Sequence, residues 1–192
     1  GLRFTQFYNT ARCCSTRASL LTGLYPHQAG IGHMVNDRGH DGYRGDLNDR
    51  CVTIAEVLRG AGYRTAMVGK WHLFSEPTGF DYWNVLPGQG LYHNPVMIEM
   101  GKTNKLKGYV SDLIADISIE WLKKRDPSKP FCLMSQPKAP HREWSPPSKY
   151  TNLFADIDLP LPATFDDDYR GRSRALPEAT MRMEHLSKTD LK

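Results

Sequence analysis

The stretch Thr53-Ile54-Ala55-Glu56-Val57-Leu58-Arg59-Gly60-Ala61-Gly62-Tyr63-Arg64-Thr65-Ala66-Met67-Val68-Gly69-Lys70-Trp71-His72 decides the fold class. Thr53 followed three residues later by Glu56 fits a capping box, in which each residue's side chain satisfies an end-of-helix amide of the other. Ala55, Val57 and Leu58 belong to the helix it opens, and Gly60 and Gly62 close it. Thr65 to Val68 then reads as a short strand that runs into Gly69-Lys70-Trp71-His72. A helix handing directly to a strand is the unit of an α/β domain.

The same alternation continues on both sides. A longer helix is predicted over Val110 to Lys124, because Val110, Leu113, Ile114, Ile117, Trp121 and Leu122 fall at helical spacing. Lys123, Lys124 and Arg125 at its end suit the negative pole of the helix. Phe131 to Met134, after Pro130, reads as a buried strand, with Lys138-Ala139-Pro140-His141 in the loop beyond it. Towards the N-terminus, Leu2 to Tyr8 alternates in the manner of a short strand. Cys13 then lies in a turn, and Ala18 to Leu24 makes a short helix that ends near Gly23. Pro26 to Asn48, rich in Gly, His, Asp and Asn, is a long loop, and long loops within domains are often functional. From Ser145 onward Pro is frequent, Asp166-Asp167-Asp168 forms a solvated acidic loop, and Ala175 to Leu186 carries a partial helical stripe.

The 192 residues are 40% hydrophobic and 24% charged, the values of a folded chain with a sizeable core. A net charge of +4 from scattered rather than massed basic residues leaves no nucleic-acid footprint and mildly favours an anionic substrate. Cys13, Cys14, Cys51 and Cys132 are too few for a disulfide scaffold, and none is spaced as a zinc site. No apolar run reaches the length of a membrane span. The chain starts at Gly1 and reads as a fragment or a processed product.

Chemistry concentrates in three segments, each placed just after a predicted strand, where α/β sheets hold their ligands. In Cys13-Cys14-Ser15-Thr16-Arg17-Ala18-Ser19-Leu20-Leu21-Thr22-Gly23, a cysteine before a helix sits in a positive backbone field, and Arg17 lies one turn on. Nucleophile, helix N-terminus and fixed cation together suit a tetrahedral oxyanion. A packed structural cysteine gives the same local pattern, and for Cys14 packing is the simpler account. If the strand through Thr65–Val68 continues, Lys70 and His72 share one face and can act on one point. Trp71 between them packs on the other face.

The full strings resemble the signatures of the type I, formylglycine-dependent sulfatase family of the alkaline phosphatase-like superfamily. Cys13 takes the first place of Cys-x-Pro-x-Arg, Arg17 the last, and Thr22-Gly23 closes the pattern, with Ser15 departing from the usual Pro. Gly62-Tyr63-x-Thr65 followed by Gly69-Lys70-Trp71-His72 matches every fixed place of the second signature, and Ala139-Pro140-His141 resembles a third segment. The resemblance implies a partial sulfatase sheet flanked by helices, incomplete in this chain. Residues 1–144 would hold active-site core elements and 145–192 an extension of the same catalytic domain.

The resemblance also implies a mechanism: Cys13 is converted to an aldehyde, whose hydrate attacks the sulfur of a sulfate ester with one hydroxyl and releases sulfate through the second. Lys70 would bridge nucleophile and sulfate, His72 would hold the second hydroxyl, and His141 would reach the sulfate and the departing oxygen, with Lys138 as a further lining cation. A calcium ion is implied as well. Converted Cys13 is its one ligand expected in this chain, since the family's Asp-Asp and Asp-Asn pairs would lie beyond Gly1 and Lys192, and the piece alone is expected to be inactive. The partners implied are a sulfated small molecule or carbohydrate and a maturation enzyme acting on Cys13, in a periplasmic or secreted setting. Hydrolysis of phosphate or phosphonate monoesters, and non-catalytic anion binding, remain the alternatives.

Overall fold

The computed structural model describes residues 3–179, which fall into two compact units that divide between Lys138 and Ala139. In the first unit the helices are α1 (Cys13–Thr22), α2 (Ile54–Gly60) and α3 (Val110–Lys124). The strands are β1 (Arg64–Lys70), β2 (Tyr82–Leu86), β3 (Val96–Glu99), β4 (Lys102–Lys105) and β5 (Phe131–Gln136). They form one sheet in the order β4-β3-β2-β1-β5. The β1 strand runs parallel to both β2 and β5, in the registers Val68↔Asn84 and Val68↔Ser135, whereas β3 and β4 add an antiparallel edge.

Local chemistry accounts for most of these elements. The capping box of α2 is complete: Thr53 Oγ1 accepts from the Glu56 amide at 3.2 Å, and Glu56 Oε2 accepts from the Thr53 amide at 2.7 Å. The α3 helix has the predicted bounds and buries Val110, Ile114 and Ser118, four residues apart on one stripe. The Ser118 hydroxyl meets that of Ser135 at 3.1 Å. Because Ser135 is in register with Val68, α3 covers the Val68 face of β1. Met67, Trp83 and Val85 point to the opposite face and pack with Cys14, Ala18 and Leu21 of α1. Both faces of β1 are thus covered, and every residue of it after Arg64 is buried, the pattern of a central parallel strand.

Four expectations need correction. Residues 3–8 form no strand: Phe4, Phe7 and Tyr8 are exposed, and a strand without a ladder partner has nothing to satisfy its amides. The first helix starts at Cys13, not Ala18. Cys14, Ala18 and Leu21 are spaced to bury one stripe, so packing extends the helix back through the segment expected to be a turn. It stops at Gly23, which takes φ 70° and returns its amide to the Ser19 carbonyl at 2.8 Å. Phe131–Gln136 is a strand, but a partly exposed one, because β5 is the sheet's edge among the described residues. The β2, β3 and β4 strands were not anticipated. The four residues of β4, Lys-Thr-Asn-Lys, are all exposed and carry no apolar alternation to announce them.

The second unit, described to residue 179, consists of turns and a short 3-10 segment, Ser148–Tyr150. The acidic loop is confirmed as a loop. Asp168 is solvated, while Asp167 pairs with Arg172 at 2.5 Å. Residues 175–179 lie in turns, and the rest of the helix expected over Ala175–Leu186 lies outside the described residues.

Candidate active site

The three parallel strands β1, β2 and β5 end at one place. Lys70 is the last residue of β1, Gln89 follows β2 by three residues, Gln136 closes β5 and Lys138 stands two residues beyond it. The carboxyl ends of parallel strands are where open α/β sheets bind ligands, and the N-terminus of α1 is brought to the same edge. Arg17 makes the junction: its Nη1 donates to the Lys70 carbonyl at 2.6 Å and to Gln136 Oε1. The guanidinium therefore ties helix to sheet besides supplying charge. Its Nε is buried without a hydrogen-bond partner, so it holds donor capacity in reserve at the site.

Cys13 is the first residue of α1 and half-buried. Its Sγ lies 3.2 Å from Nδ1 of His72 and 3.8 Å from Sγ of Cys14, which is itself 3.5 Å from the same nitrogen. The Cys14 thiol, then the His72 ring, hydrogen-bond the Cys13 sulfur and hold its pKa down to about 3, against the opposing pull of burial. The Cys14 thiol moves the other way, raised by Cys13 and by burial. The hydrogen bonding of the pair thus favours the thiolate on Cys13 and the thiol on Cys14. Cys14 does pack in the core, as expected, and also serves the site.

His72 arrives by a route the sequence did not suggest. The β1 strand stops at Lys70, and His72 adopts φ 50°. A left-handed turn rather than strand alternation therefore brings its ring to Cys13. Trp71 is buried, its Nε1 donating to the Ser75 carbonyl at 2.6 Å, and anchors that turn in the core.

Arg17 and Lys70 both feel the charge of the Cys13 sulfur, and Lys138 lies beside Lys70. Lys70 is only 3% exposed, and its Nζ donates to Gln89 Oε1 at 2.6 Å. Burial lowers its pKa, and the charge on Cys13 pushes back up. Lys138, 7% exposed, donates to the Gln89 carbonyl at 3.2 Å and lies 4.6 Å from the centre of the Tyr92 ring. Gln89 thus holds two ammonium groups at once, in a turn closed by Gly90 N–H to the Pro87 carbonyl at 3.0 Å. A pocket of about 360 Å³ opens onto Cys13 and Arg17, lined also by Asn9, Arg12, Thr16 and Gln136. Ser15, in the usual Pro place, is buried and shares its hydroxyl hydrogen between the carbonyls of Ile31 at 2.9 Å and His33 at 2.8 Å. It pins the 26–48 loop to the nucleophile's helix.

Comparison with known proteins decides the family. The sulfatase family model matches residues 1–183. The chain belongs to the sulfatase family. It is 41% identical over 99% of its length to the N-acetylglucosamine-6-O-sulfatase of Bacteroides thetaiotaomicron, and 30% identical over 86% of its length to the N-acetylglucosamine-6-sulfatase of Bos taurus. It superposes with a TM-score of 0.87, at 41% identity and over 99% of its length, on a structure solved in complex with its substrate D-glucosamine-2-N,6-O-disulfate. The chain spans about a third of the length of these curated relatives and 38% of that solved chain.

Of the residues predicted for the sulfatase site, Cys13, Arg17, Lys70, His72 and Lys138 all lie in the first unit at the strand ends. His141 belongs to the second unit, and its ring Nδ1 contacts the carbonyl of Arg142. Gln89 and Gln136 were missed. Neither falls in a signature, although each stands where a strand ends. Calcium takes six to eight oxygen ligands. Among the described residues, the one group of three or more His, Cys, Asp or Glu side chains close enough to share an ion is Cys13, Cys14 and His72. Two sulfurs and an imidazole do not fit calcium. No helix of the described residues is long and apolar enough to cross a membrane.

Proposed function

We propose that the intact protein hydrolyses sulfate esters, with Cys13 converted to an aldehyde as its nucleophile and a 6-O-sulfated glucosamine as its substrate. The observation that carries this is the meeting of Cys13, His72, Arg17 and Lys70 at the strand ends, in a chain 41% identical to an N-acetylglucosamine-6-O-sulfatase. The hydrated aldehyde supplies an attacking hydroxyl and a second hydroxyl whose deprotonation frees the product.

The chain's own residues do the rest. The first-turn amides of α1, which have no partner within the helix, face an incoming anion with the positive end of the dipole. Lys70, desolvated and held by Gln89, offers its ammonium to a sulfate oxygen, and Lys138 adds charge from the same turn. In a site screened from water such fixed charges act more strongly than in bulk solvent. His72 Nδ1, 3.2 Å from the Cys13 side chain, is placed to hold and remove a proton there. His141 is assigned the proton donated to the departing sugar oxygen. A maturation enzyme acting on Cys13 and a periplasmic or secreted location complete the proposal.

The test uses the intact protein with Cys13 conversion confirmed by peptide mass. It is expected to release sulfate from 6-O-sulfated N-acetylglucosamine and to leave the 3-O-sulfated isomer. Cys13→Ala should abolish turnover, and Lys70→Met should lower kcat/KM by roughly 100-fold or more. Faster turnover of phosphate or phosphonate monoesters, or full activity in the Cys13→Ala variant, would overturn the proposal.

A further inference from the structure

The Cys13, Cys14 and His72 cluster has a geometry that ester hydrolysis does not require. A tetrahedral zinc ion holds sulfur at about 2.3 Å and nitrogen at about 2.0–2.1 Å, which places two sulfur ligands about 3.8 Å apart and sulfur and nitrogen about 3.6 Å apart. The observed separations are 3.8 Å between the two Sγ atoms, 3.5 Å from Cys14 Sγ to His72 Nδ1 and 3.2 Å from Cys13 Sγ to the same nitrogen. One adjustment of a few tenths of an ångström completes three corners of a tetrahedron.

We infer that the chain, while Cys13 is still a thiol, binds one thiophilic divalent cation of the zinc class through Cys13 Sγ, Cys14 Sγ and His72 Nδ1. Thiolate and imidazole ligands select such ions over calcium or magnesium. The two sulfurs coordinate as thiolates, so binding is coupled to proton release. Two thiolates then cancel the ion's charge; the attraction that Lys70 and Arg17 have for the Cys13 sulfur is lost, a cost that the three ligand bonds must exceed. The pocket of about 360 Å³ that reaches Cys13 gives the ion its entry, and the fourth ligand is water or a small anion. Cys14 and His72 are buried, 0% and 5% exposed, and held on a helix and an anchored turn, so two of the three ligands are already in position. Conversion of Cys13 to an aldehyde removes one ligand, and the cation site exists only before that step.

The test is independent of ester hydrolysis. The intact protein, with Cys13 shown by mass to be a thiol, is titrated with Co2+ and then with Zn2+. The expected result is one Co2+ per chain with the visible spectrum of a tetrahedral ion and a sulfur-to-cobalt charge-transfer band, both lost as Zn2+ displaces it. Cys14→Ala and His72→Gln should each weaken binding by more than about 100-fold, beyond the 10–100-fold range of outer-shell partners. The aldehyde form of the unsubstituted protein should bind as weakly as these variants, a comparison that holds even where a substitution disturbs folding. A spectrum of octahedral cobalt without the sulfur band, unchanged affinity in both variants, or equal affinity of thiol and aldehyde forms would overturn the inference.

Discussion

At the residue scale, the site is governed by who keeps a proton. Cys13 sits between a thiol and an imidazole that both hydrogen-bond its sulfur, and its pKa falls from 9.0 to about 3. The group is an acid with a depressed pKa, so its anion is present at all pH values above that point. The alkylation rate of Cys13 in the thiol form should therefore be flat from about pH 5 to 8, where an ordinary thiol gains roughly tenfold per unit. Cys14 is the larger cause and His72 the smaller. Cys14→Ala should accordingly move the onset of alkylation to higher pH by more than His72→Gln does. Mass spectrometry of the iodoacetamide adduct across a pH series reads this directly, and a tenfold rise per unit in the unsubstituted protein would refute it.

At the scale of elements, the close approach of β1 to β5 matters most. Gly69 takes φ 109° opposite Gln136, and a Cβ at Gly69 would lie 2.1 Å from the Gln136 carbonyl oxygen. Only glycine tolerates both the dihedral and the contact. Gly69→Ala should cost at least about 2 kcal/mol. In a domain of 150–250 residues that is a drop in Tm of about 4–8 °C, and in the longer intact protein a smaller one, measurable by calorimetry. Because Arg17 bridges Lys70 and Gln136 across this same pair of strands, the variant should also lose activity beyond its loss of stability. An unchanged Tm would show that the two strands can separate freely, which their continuous parallel pairing from Arg64–Phe131 to Gly69–Gln136 argues against.

The whole first unit gathers Arg17, Lys70 and Lys138 from three distant segments onto one sheet edge. Inorganic sulfate should therefore raise the Tm of the intact protein against a chloride control of equal ionic strength, by the equivalent of about 2.7 kcal/mol at one hundred times its Kd. Lys70→Met should remove most of that shift. Equal stabilisation by chloride would mean that screening, not binding, is responsible.

Local signals in the sequence were sufficient for α2, α3 and β1, because a capping box, a helical stripe and a short run between Gly62 and Gly69 that begins and ends on the β-branched Thr65 and Val68 act over a few residues. The signatures around Cys13 and Lys70 likewise marked most of the candidate site before any fold was known. The start of α1, the edge position of β5 and the existence of β4 were decided only by tertiary structure. A helix lengthens where packing rewards it, as Cys14 shows, and a strand such as Lys102–Lys105 exists because its backbone finds a neighbour. The contact of His72 with Cys13 spans 59 residues of chain, that of Gln136 with Arg17 spans 119, and that of Lys138 with Gln89 spans 49. Charge and hydrogen-bond partners act through space, and no local pattern records which distant residue will arrive.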